Sequence, residues 1–196
     1  MKTQINNWRR GAIALSMLTL LSTLNACKER KEPVTEAVKS KETVQAPAVD
    51  IHTAVMSENT AVLKQHIEAG SDLNVREQMG GSSPLISACL FGKTEMTRML
   101  IDAGADLNVQ NNEGSTALHT AAFFCRTEIV KMLLQKGADK TIKNKYDNTA
   151  YESVAGSFAD VKPVYESLGK MLEPMGLKLD YTFIEKTRPE IAALLK

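Results

Sequence analysis

The chain has 196 residues, of which 43% are hydrophobic and 24% are charged. This composition is typical of one soluble globular domain with appendages and excludes a fibrous or wholly disordered protein. Its 24 basic and 23 acidic residues give a net charge of +1. The general electrostatic attraction that holds proteins on nucleic acid phosphates is therefore absent, and we expect no nucleic acid partner.

The N-terminal residues have the pattern of a secretion signal. Lys2, Arg9 and Arg10 precede an uncharged, Leu-rich stretch over residues 11–26. A membrane-spanning helix needs about 20 apolar residues, so this stretch is too short for a permanent anchor, and we interpret residues 1–26 as a signal peptide. An uncleaved anchor helix is the less favoured alternative.

The apolar stretch ends in the sequence Leu-Asn-Ala-Cys, with its cysteine at position 27. This sequence resembles the bacterial lipobox, which implies that Cys27 is lipidated and becomes the mature N-terminus. Acyl chains on Cys27 would hold the protein in the bacterial envelope, and Lys28 after it favours the outer membrane, facing the periplasm. The alternative is that Cys27 is buried or incidental.

Residues 27–48 are predicted to form a disordered tether. Within 28–47 there are nine charged residues, two prolines and no aromatic residue. Such a segment buries too little apolar surface to fold, so we expect an extended linker between the lipid and the domain.

The rest of the chain contains an internal repeat. The glycines of three related Gly-x-Asp turns lie at Gly70, Gly104 and Gly137, and a second motif begins at Gly81, Gly114 and Asp147, 33 residues apart. Two short helices with apolar faces fit between these turns. The pattern resembles the ankyrin-repeat family, so the chain is identified as a bacterial ankyrin-repeat protein with a lipoprotein signal peptide.

This resemblance implies an all-α solenoid of about four helix-turn-helix repeats over residues 49–172, followed by a helical C-terminal cap over 173–196. The second helix of the fourth repeat is expected near Val161–Lys170, out of register with the other repeats, as in a terminal capping unit. Thr187 and Glu190 have the spacing of a capping box, which predicts a short helix that begins there, with Pro189 in its first turn.

Several residues are expected to have structural roles. Gly70, Gly104 and Gly137 lie where a chain leaves a helix in a left-handed turn. His119 ends a Thr-x-Leu-His turn, and in the ankyrin family this imidazole is hydrogen-bonded to the threonine, here Thr116, and to neighbouring backbone. His52 is expected at the equivalent place in the first repeat.

An enzyme is not favoured, because phosphate-binding, serine-hydrolase and zinc-protease motifs are missing from the sequence. We expect no cofactor and no metal. A hydrolase or redox protein that uses Cys125 and His119 stays open as an alternative. A disulfide between Cys89 and Cys125 is a less favoured possibility, since the two lie on consecutive repeats.

The resemblance also implies a binding surface on the turns between repeats and on the concave ends of the first helices. The residues expected there are Met79, Leu90, Phe91, Gln110, Asn112, Glu113, Phe123, Phe124, Lys143, Lys145 and Tyr146. Adjacent exposed aromatic residues would indicate a protein-binding patch. In the alternative arrangement, the three phenylalanines pack on each other or beneath the tether.

We therefore predict a non-enzymatic protein–protein interaction module that is anchored in the bacterial envelope and binds a partner through its concave surface. The alternative is a periplasmic immunity or protective protein that inhibits a toxin or stabilises an envelope enzyme.

Overall fold

The structure, a computed structural model, describes residues 45–196, and this part of the chain contains helices and turns but no strand. The predicted signal peptide, Cys27 and most of the predicted tether lie outside the described residues. Between residues 45 and 196, none of the helices combines the length and the apolar character that crossing a bilayer requires.

The first three repeats are pairs of short helices. They are α1 (Ile51–Met56) with α2 (Thr60–Glu68), α3 (Pro84–Leu90) with α4 (Thr94–Asp102), and α5 (Ala117–Phe123) with α6 (Thr127–Gln135). Each first helix begins after a capping side chain, Asp50, Ser83 or Thr116, which accepts a hydrogen bond from a backbone N–H three residues later. These caps satisfy backbone donors that the helix leaves free, and they set the 33-residue period.

The turns inside and between the repeats use left-handed backbone. The two helices of a repeat are joined at Glu58, Gly92 and Cys125, whose φ angles are 54°, 67° and 54°. After the second helix, Gly70, Gly104 and Gly137 have φ angles of 70°, 86° and 83°. A Cβ atom at these three glycines would meet no atom within 4 Å, so glycine is favoured there by conformation and not by space.

Stacking of the repeats forms one continuous apolar core. It contains Leu85 of α3, Leu118 of α5 and Leu133 of α6, each 1% exposed or less. Burying such a side chain contributes about 1.5–3 kcal/mol, and no helix pair buries its own apolar face without a neighbour.

The fourth repeat is interrupted. After α7 (Glu152–Ala155), the chain forms α8 (Phe158–Leu172), a 3₁₀ turn (Glu173–Met175) and α9 (Tyr181–Leu195). Helix α9 packs against α7 and against α5 and α6 of the third repeat, whereas α8 packs mainly against the 3₁₀ turn and α9. Helix α9 therefore holds the place of the second helix. The prediction that Val161–Lys170 forms this helix is wrong, and residues 173–196 are not only a cap.

Helix α9 begins earlier than the predicted capping box. The Asp180 side chain accepts a hydrogen bond from the Phe183 N–H at 3.0 Å and caps the helix. Thr187 is 6% exposed and lies within the helix, so it does not begin one. The helix continues through Pro189 because its apolar stripe, which includes Ile184 and Ile191, packs on the third repeat.

Helix α8 contacts the molecule along one side only. Tyr165 is the buried residue of its 15, while Val164 is 48% exposed and Met171 is 62% exposed on the other side. Gly156 precedes the helix, and Gly176, with a φ of 90°, follows the 3₁₀ turn. Helix α8 is thus an insertion that lies on the solenoid.

Candidate protein-binding surfaces

The loops that join successive repeats form a row along one edge of the solenoid. We call residues 75–82, 110–115 and 143–148 the finger edge. The Asn112 N–H donates to the Gly80 carbonyl at 2.8 Å, and the Lys145 N–H donates to the Glu113 carbonyl at 3.0 Å. Because each loop is hydrogen-bonded to the next, the spacing of side chains along this edge is fixed before any partner arrives.

Glu77 organises the first loop of the finger edge. Its carboxylate accepts hydrogen bonds from the N–H groups of Met79 at 2.5 Å, Gly80 at 2.6 Å and Ser82 at 3.0 Å. Partial burial acts to raise the pKa of Glu77, but these three donors outweigh it and lower the pKa. The loop is therefore closed around an ionised carboxylate at neutral pH.

Polar side chains connect neighbouring loops of the finger edge. The Arg76 guanidinium donates to the Gly81 carbonyl and to Asn112 Oδ1, both at 2.8 Å. Gln110 Nε2 donates to the Gly114 carbonyl at 2.6 Å and to the Lys143 carbonyl at 3.1 Å. Gln110 and Asn112 thus hold the loops together and offer only their remaining hydrogen-bonding capacity to a partner.

The largest apolar exposure on the finger edge comes from Met79, 86% exposed, and Tyr146, 67% exposed. Tyr146 Oη donates to Glu113 Oε2 at 2.7 Å, and this hydrogen bond raises the pKa of Tyr146. Lys143 and Lys145 are exposed beside them, and Lys143 Nζ lies 3.1 Å from Asp147. The edge therefore combines a thioether, a phenol and cations on a fixed backbone.

The other four predicted binding residues lie at the opposite ends of the first helices. Leu90 and Phe91 are half-buried where α3 ends. The Arg126 guanidinium donates to the Leu90 carbonyl at 3.1 Å. A helix of seven residues is about 10 Å long, so these residues and the finger edge are two separate surfaces and not one.

The prediction that Phe123 and Phe124 are exposed anchors is wrong. Phe124 is 6% exposed, and Phe123 is half-buried beneath α8. The Tyr165 ring stacks on the Phe123 ring with centroids 4.3 Å apart, and Phe123 meets Phe124 edge to face at 5.2 Å. Phe158 completes this aromatic cluster at 5.8 Å from Tyr165. Phe123 and Phe124 thus pack on each other, as in the alternative arrangement, and α8 covers them.

A buried polar pair fixes α8 in this place. Tyr165 Oη donates to the Phe123 carbonyl at 2.5 Å and accepts from Arg188 Nη1 of α9 at 2.9 Å. Burial raises the pKa of Tyr165 to about 12, although the charge of Arg188 opposes this. The hydroxyl therefore stays protonated and joins three helices.

Arg188 is a buried cation without an acidic partner. It is 2% exposed, its Cζ lies 5.9 Å from the centroid of the Tyr165 ring, and it makes long hydrogen bonds to the carbonyls of Ser153 at 3.4 Å and Gly156 at 3.3 Å. Its Nε is buried with no hydrogen-bond partner. The ion pairs found within residues 45–196 do not include Arg188.

Sequence analysis did not single out Tyr165 or Arg188. Phe158, Val161 and Tyr165 form an apolar stripe at helical spacing in α8, but spacing alone does not show which surface that stripe covers. Arg188 lies between Ile184 and Ile191 on the buried side of α9. A charged residue at the centre of an apolar stripe is the feature of the sequence that indicates a buried polar contact at Arg188.

His119 is held on both ring nitrogens. The Thr116 N–H donates to His119 Nδ1 at 3.3 Å, Thr116 Oγ1 lies 2.9 Å from the same nitrogen, and His119 Nε2 donates to the Asn148 carbonyl at 3.0 Å. Because Nδ1 accepts a hydrogen bond from a backbone N–H, it carries no hydrogen itself, and the ring hydrogen is on Nε2. Burial lowers the pKa of His119 more than the Asn148 hydrogen bond raises it. This neutral imidazole connects the third and fourth repeats.

The other two histidines also contact backbone. In the first repeat Thr53, and not His52, lies three residues after the capping residue, so the predicted equivalence of His52 and His119 is wrong by one position. His52 Nε2 instead lies 3.1 Å from the Val75 carbonyl. His66 is held between Ser71 Oγ at 2.9 Å and the Val49 carbonyl at 2.8 Å.

The described cysteines are buried free thiols. Burial raises the pKa of Cys89 to about 12 and that of Cys125 to about 11. Cys125 Sγ lies 3.7 Å from the Ile184 carbonyl of α9, to which it donates. Since a thiolate is the reactive form, this environment does not suit a nucleophile. Within residues 45–196, no group of three or more His, Cys, Asp or Glu residues could hold a metal ion.

Residues 51–144 match the family model for ankyrin repeats in three copies. These residues are ankyrin repeats. The ankyrin repeat domain of Bcl-3 is similar in structure, with a TM-score of 0.52 and 32% identity over 53% of this chain and 45% of that chain. The prediction of an all-α ankyrin solenoid is confirmed.

Curated proteins match shorter stretches of these repeats. Protein PhlB of Serratia liquefaciens is 39% identical over 69 residues, which are 35% of this chain and 30% of PhlB. Protein phosphatase 1 regulatory subunit 12A of Mus musculus is 39% identical over 67 residues, 34% of this chain and 6% of that protein. Regulatory subunit 27 of the same phosphatase, from Homo sapiens, is 36% identical over 64 residues, 33% of this chain and 41% of that protein. The chain spans less than half the length of each of these relatives.

Proposed function

We propose that this protein is a non-enzymatic binding module whose ankyrin repeats hold a partner protein along the finger edge. Ankyrin repeats are typically protein-interaction modules, as in regulatory subunits of a phosphatase. The observation that carries the proposal is the exposure of Met79 and Tyr146 on loops that are hydrogen-bonded in register. A preorganised surface loses less entropy on binding than one that must be ordered.

The charges on the finger edge indicate the chemistry of the partner. Lys143 and Lys145 precede Tyr146, but Lys143 is paired with Asp147 and the Tyr146 hydroxyl donates to Glu113, so basic and acidic side chains balance around the exposed apolar groups. Such an edge suits a partner surface that has an apolar patch with both acidic and basic residues at its rim.

A capture experiment tests the finger edge. Purified chain is used to pull down proteins from solubilised envelope, and the Met79→Ala/Tyr146→Ala double variant is compared with Met171→Ala, which removes a 62% exposed apolar side chain from α8. We expect the double variant to lose the captured protein and Met171→Ala to retain it. Equal capture by both variants would contradict the finger edge as the binding surface. Identification of the captured protein as a toxin or an envelope enzyme would support the immunity or protective role.

We further propose that the module is held in the bacterial outer membrane by lipid on Cys27 and faces the periplasm. The supporting observation is the sequence Leu-Asn-Ala-Cys at the end of the apolar stretch. Mass spectrometry of protein extracted from membranes should find acyl chains on Cys27 and no residues before it. A chain that still begins at Met1, or a Cys27→Ala variant that is processed and membrane-bound, would contradict this anchoring.

A further inference from the structure

Helix α8 covers an aromatic surface of the third repeat, but the packing of the fourth repeat does not depend on this contact. The two helices of that repeat, α7 and α9, pack on each other and on the third repeat directly. Helix α8 is inserted between them, with Tyr165 as its single buried residue. Its departure would therefore expose Phe123 and Phe124 while leaving the helix pair of the repeat in place.

The surface beneath α8 has the character of a helix-binding groove. Phe123 and Phe124 lie 33 residues after Leu90 and Phe91, so the same end of the neighbouring repeat continues this apolar surface. On the third repeat, α8 supplies an aromatic ring that stacks at 4.3 Å and a hydroxyl that donates to the Phe123 carbonyl. The amphipathic α8 thus binds in the manner of a helical ligand.

Arg188 shows that α8 is an incomplete ligand for this surface. The guanidinium is 2% exposed, donates hydrogen bonds only to neutral oxygens and retains an unpartnered Nε. A buried cation is satisfied far better by a carboxylate than by a phenol, because charge-assisted hydrogen bonds are roughly twice as strong as neutral ones. A helix that carried an acid beside its aromatic residue would therefore have an advantage over α8.

We propose that Phe123, Phe124 and Arg188 form a second docking site, for an amphipathic helix of a partner protein that carries an aromatic residue and, one turn before it, an acidic residue. In the free protein α8 occupies this site. Arg188 reaches the Ser153 and Gly156 carbonyls, which precede α8, so the acid belongs on the N-terminal side of the aromatic residue. The site is separate from the finger edge and does not rest on it.

The test uses synthetic peptides of residues 157–174 labelled with fluorescein and titrated, by fluorescence anisotropy, into the full chain. One peptide has the natural sequence and the other carries Val161→Glu, which places an acid one turn before Tyr165. We expect the Val161→Glu peptide to bind about tenfold more tightly, and the same peptide with Tyr165→Ala added to lose binding. A Tyr165→Ala full chain, which weakens the resident helix, should bind the Val161→Glu peptide about tenfold more tightly than wild type.

The controls separate this site from the finger edge and from misfolding. The Met79→Ala/Tyr146→Ala chain should bind the peptide as wild type does, whatever the outcome of the capture experiment. In hydrogen exchange of the intact chain, amides of α8 should exchange together and at least about tenfold faster than those of α9. Equal binding of the two peptides, no binding at all, or α8 amides as protected as those of α9 would each overturn the proposal.

Discussion

The third and fourth repeats reach the same arrangement by different routes. In the third repeat, residues 124–126 alone separate α5 from α6, whereas residues 156–180 separate α7 from α9 and include α8. In both repeats the two helices pack on each other, and α9 packs on α6 as α6 packs on α4. A repeat is thus completed by any helix that presents the right apolar stripe at the right place, and it does not require a short connection.

The largest expected effect tests whether α9 is a true repeat helix. Ile191 and Leu133 are both 0% exposed, in α9 and α6 respectively. Replacing either by alanine should lower the free energy of unfolding by about 2–5 kcal/mol, because each leaves a cavity in the same core. Urea denaturation of the two variants measures this. If Ile191→Ala costs less than about 1 kcal/mol while Leu133→Ala costs the full amount, α9 is only a peripheral cap.

A smaller effect tests the attachment of α8. Tyr165→Phe keeps the ring but removes the hydroxyl that joins the Phe123 carbonyl to Arg188. We expect a loss of about 1–3 kcal/mol in thermal or urea unfolding, since buried polar groups are left unpaired. Tyr151→Phe, at a half-buried tyrosine of α7's repeat, is the matched control and should change stability by less than about 0.5 kcal/mol. Equal effects of the two variants would show that the buried hydroxyl does not hold α8.

His119 joins the third repeat to the fourth, and its protonation should make this junction sensitive to acid. Burial lowers the pKa of His119 from 6.5, so below that pH the unfolded chain takes up the proton before the folded chain does. This group's contribution to stability is therefore complete above pH 6.5 and is lost as pH falls, by at most about 1.4 kcal/mol per pH unit. Urea midpoints at pH 7.5, 6.5 and 5.5 should fall less steeply for His119→Gln than for wild type. Parallel declines would place the acid sensitivity elsewhere.

The smallest expected change in stability is at the finger edge. Met79→Ala and Tyr146→Ala remove side chains that are 86% and 67% exposed. Each should alter the free energy of unfolding by less than about 0.5 kcal/mol. A larger loss at Tyr146 would mean that its hydrogen bond to Glu113 supports the loops, and that a loss of binding in this variant is partly a loss of structure.

Sequence analysis succeeded where the structure repeats and failed where it does not. The caps at Asp50, Ser83 and Thr116 recur every 33 residues, so each supports the assignment of the others. Helices α8 and α9 both carry apolar stripes, and spacing along the chain does not decide which one packs on the third repeat. The resemblance to ankyrin repeats predicts the second helix of the fourth repeat near Val161–Lys170 and an open surface at Phe123 and Phe124, whereas α8 covers that surface.

The candidate sites show the same division. Met79 and Tyr146 follow from the period, because loops between repeats are exposed in any ankyrin array. The pairing of Arg188 with Tyr165 joins residues 23 positions apart in helices of unexpected register. Such a contact depends on the long-range packing of α9, which a local pattern does not contain.

The interruption of the fourth repeat also bears on the order in which the molecule folds. Bringing α9 onto α7 closes a loop of residues 156–180, whereas α4 meets α3 across residues 91–93 alone. The entropic cost of closing a loop rises with the logarithm of its length. Closing the longer connection therefore costs on the order of 2 kcal/mol more than closing the shorter one, and this cost precedes any stabilising contact of α9. The fourth repeat should therefore dock last, onto repeats that have already stacked. In a chain synthesised from its N-terminus, α9 is made after the helices on which it packs, so it meets a surface that is already assembled.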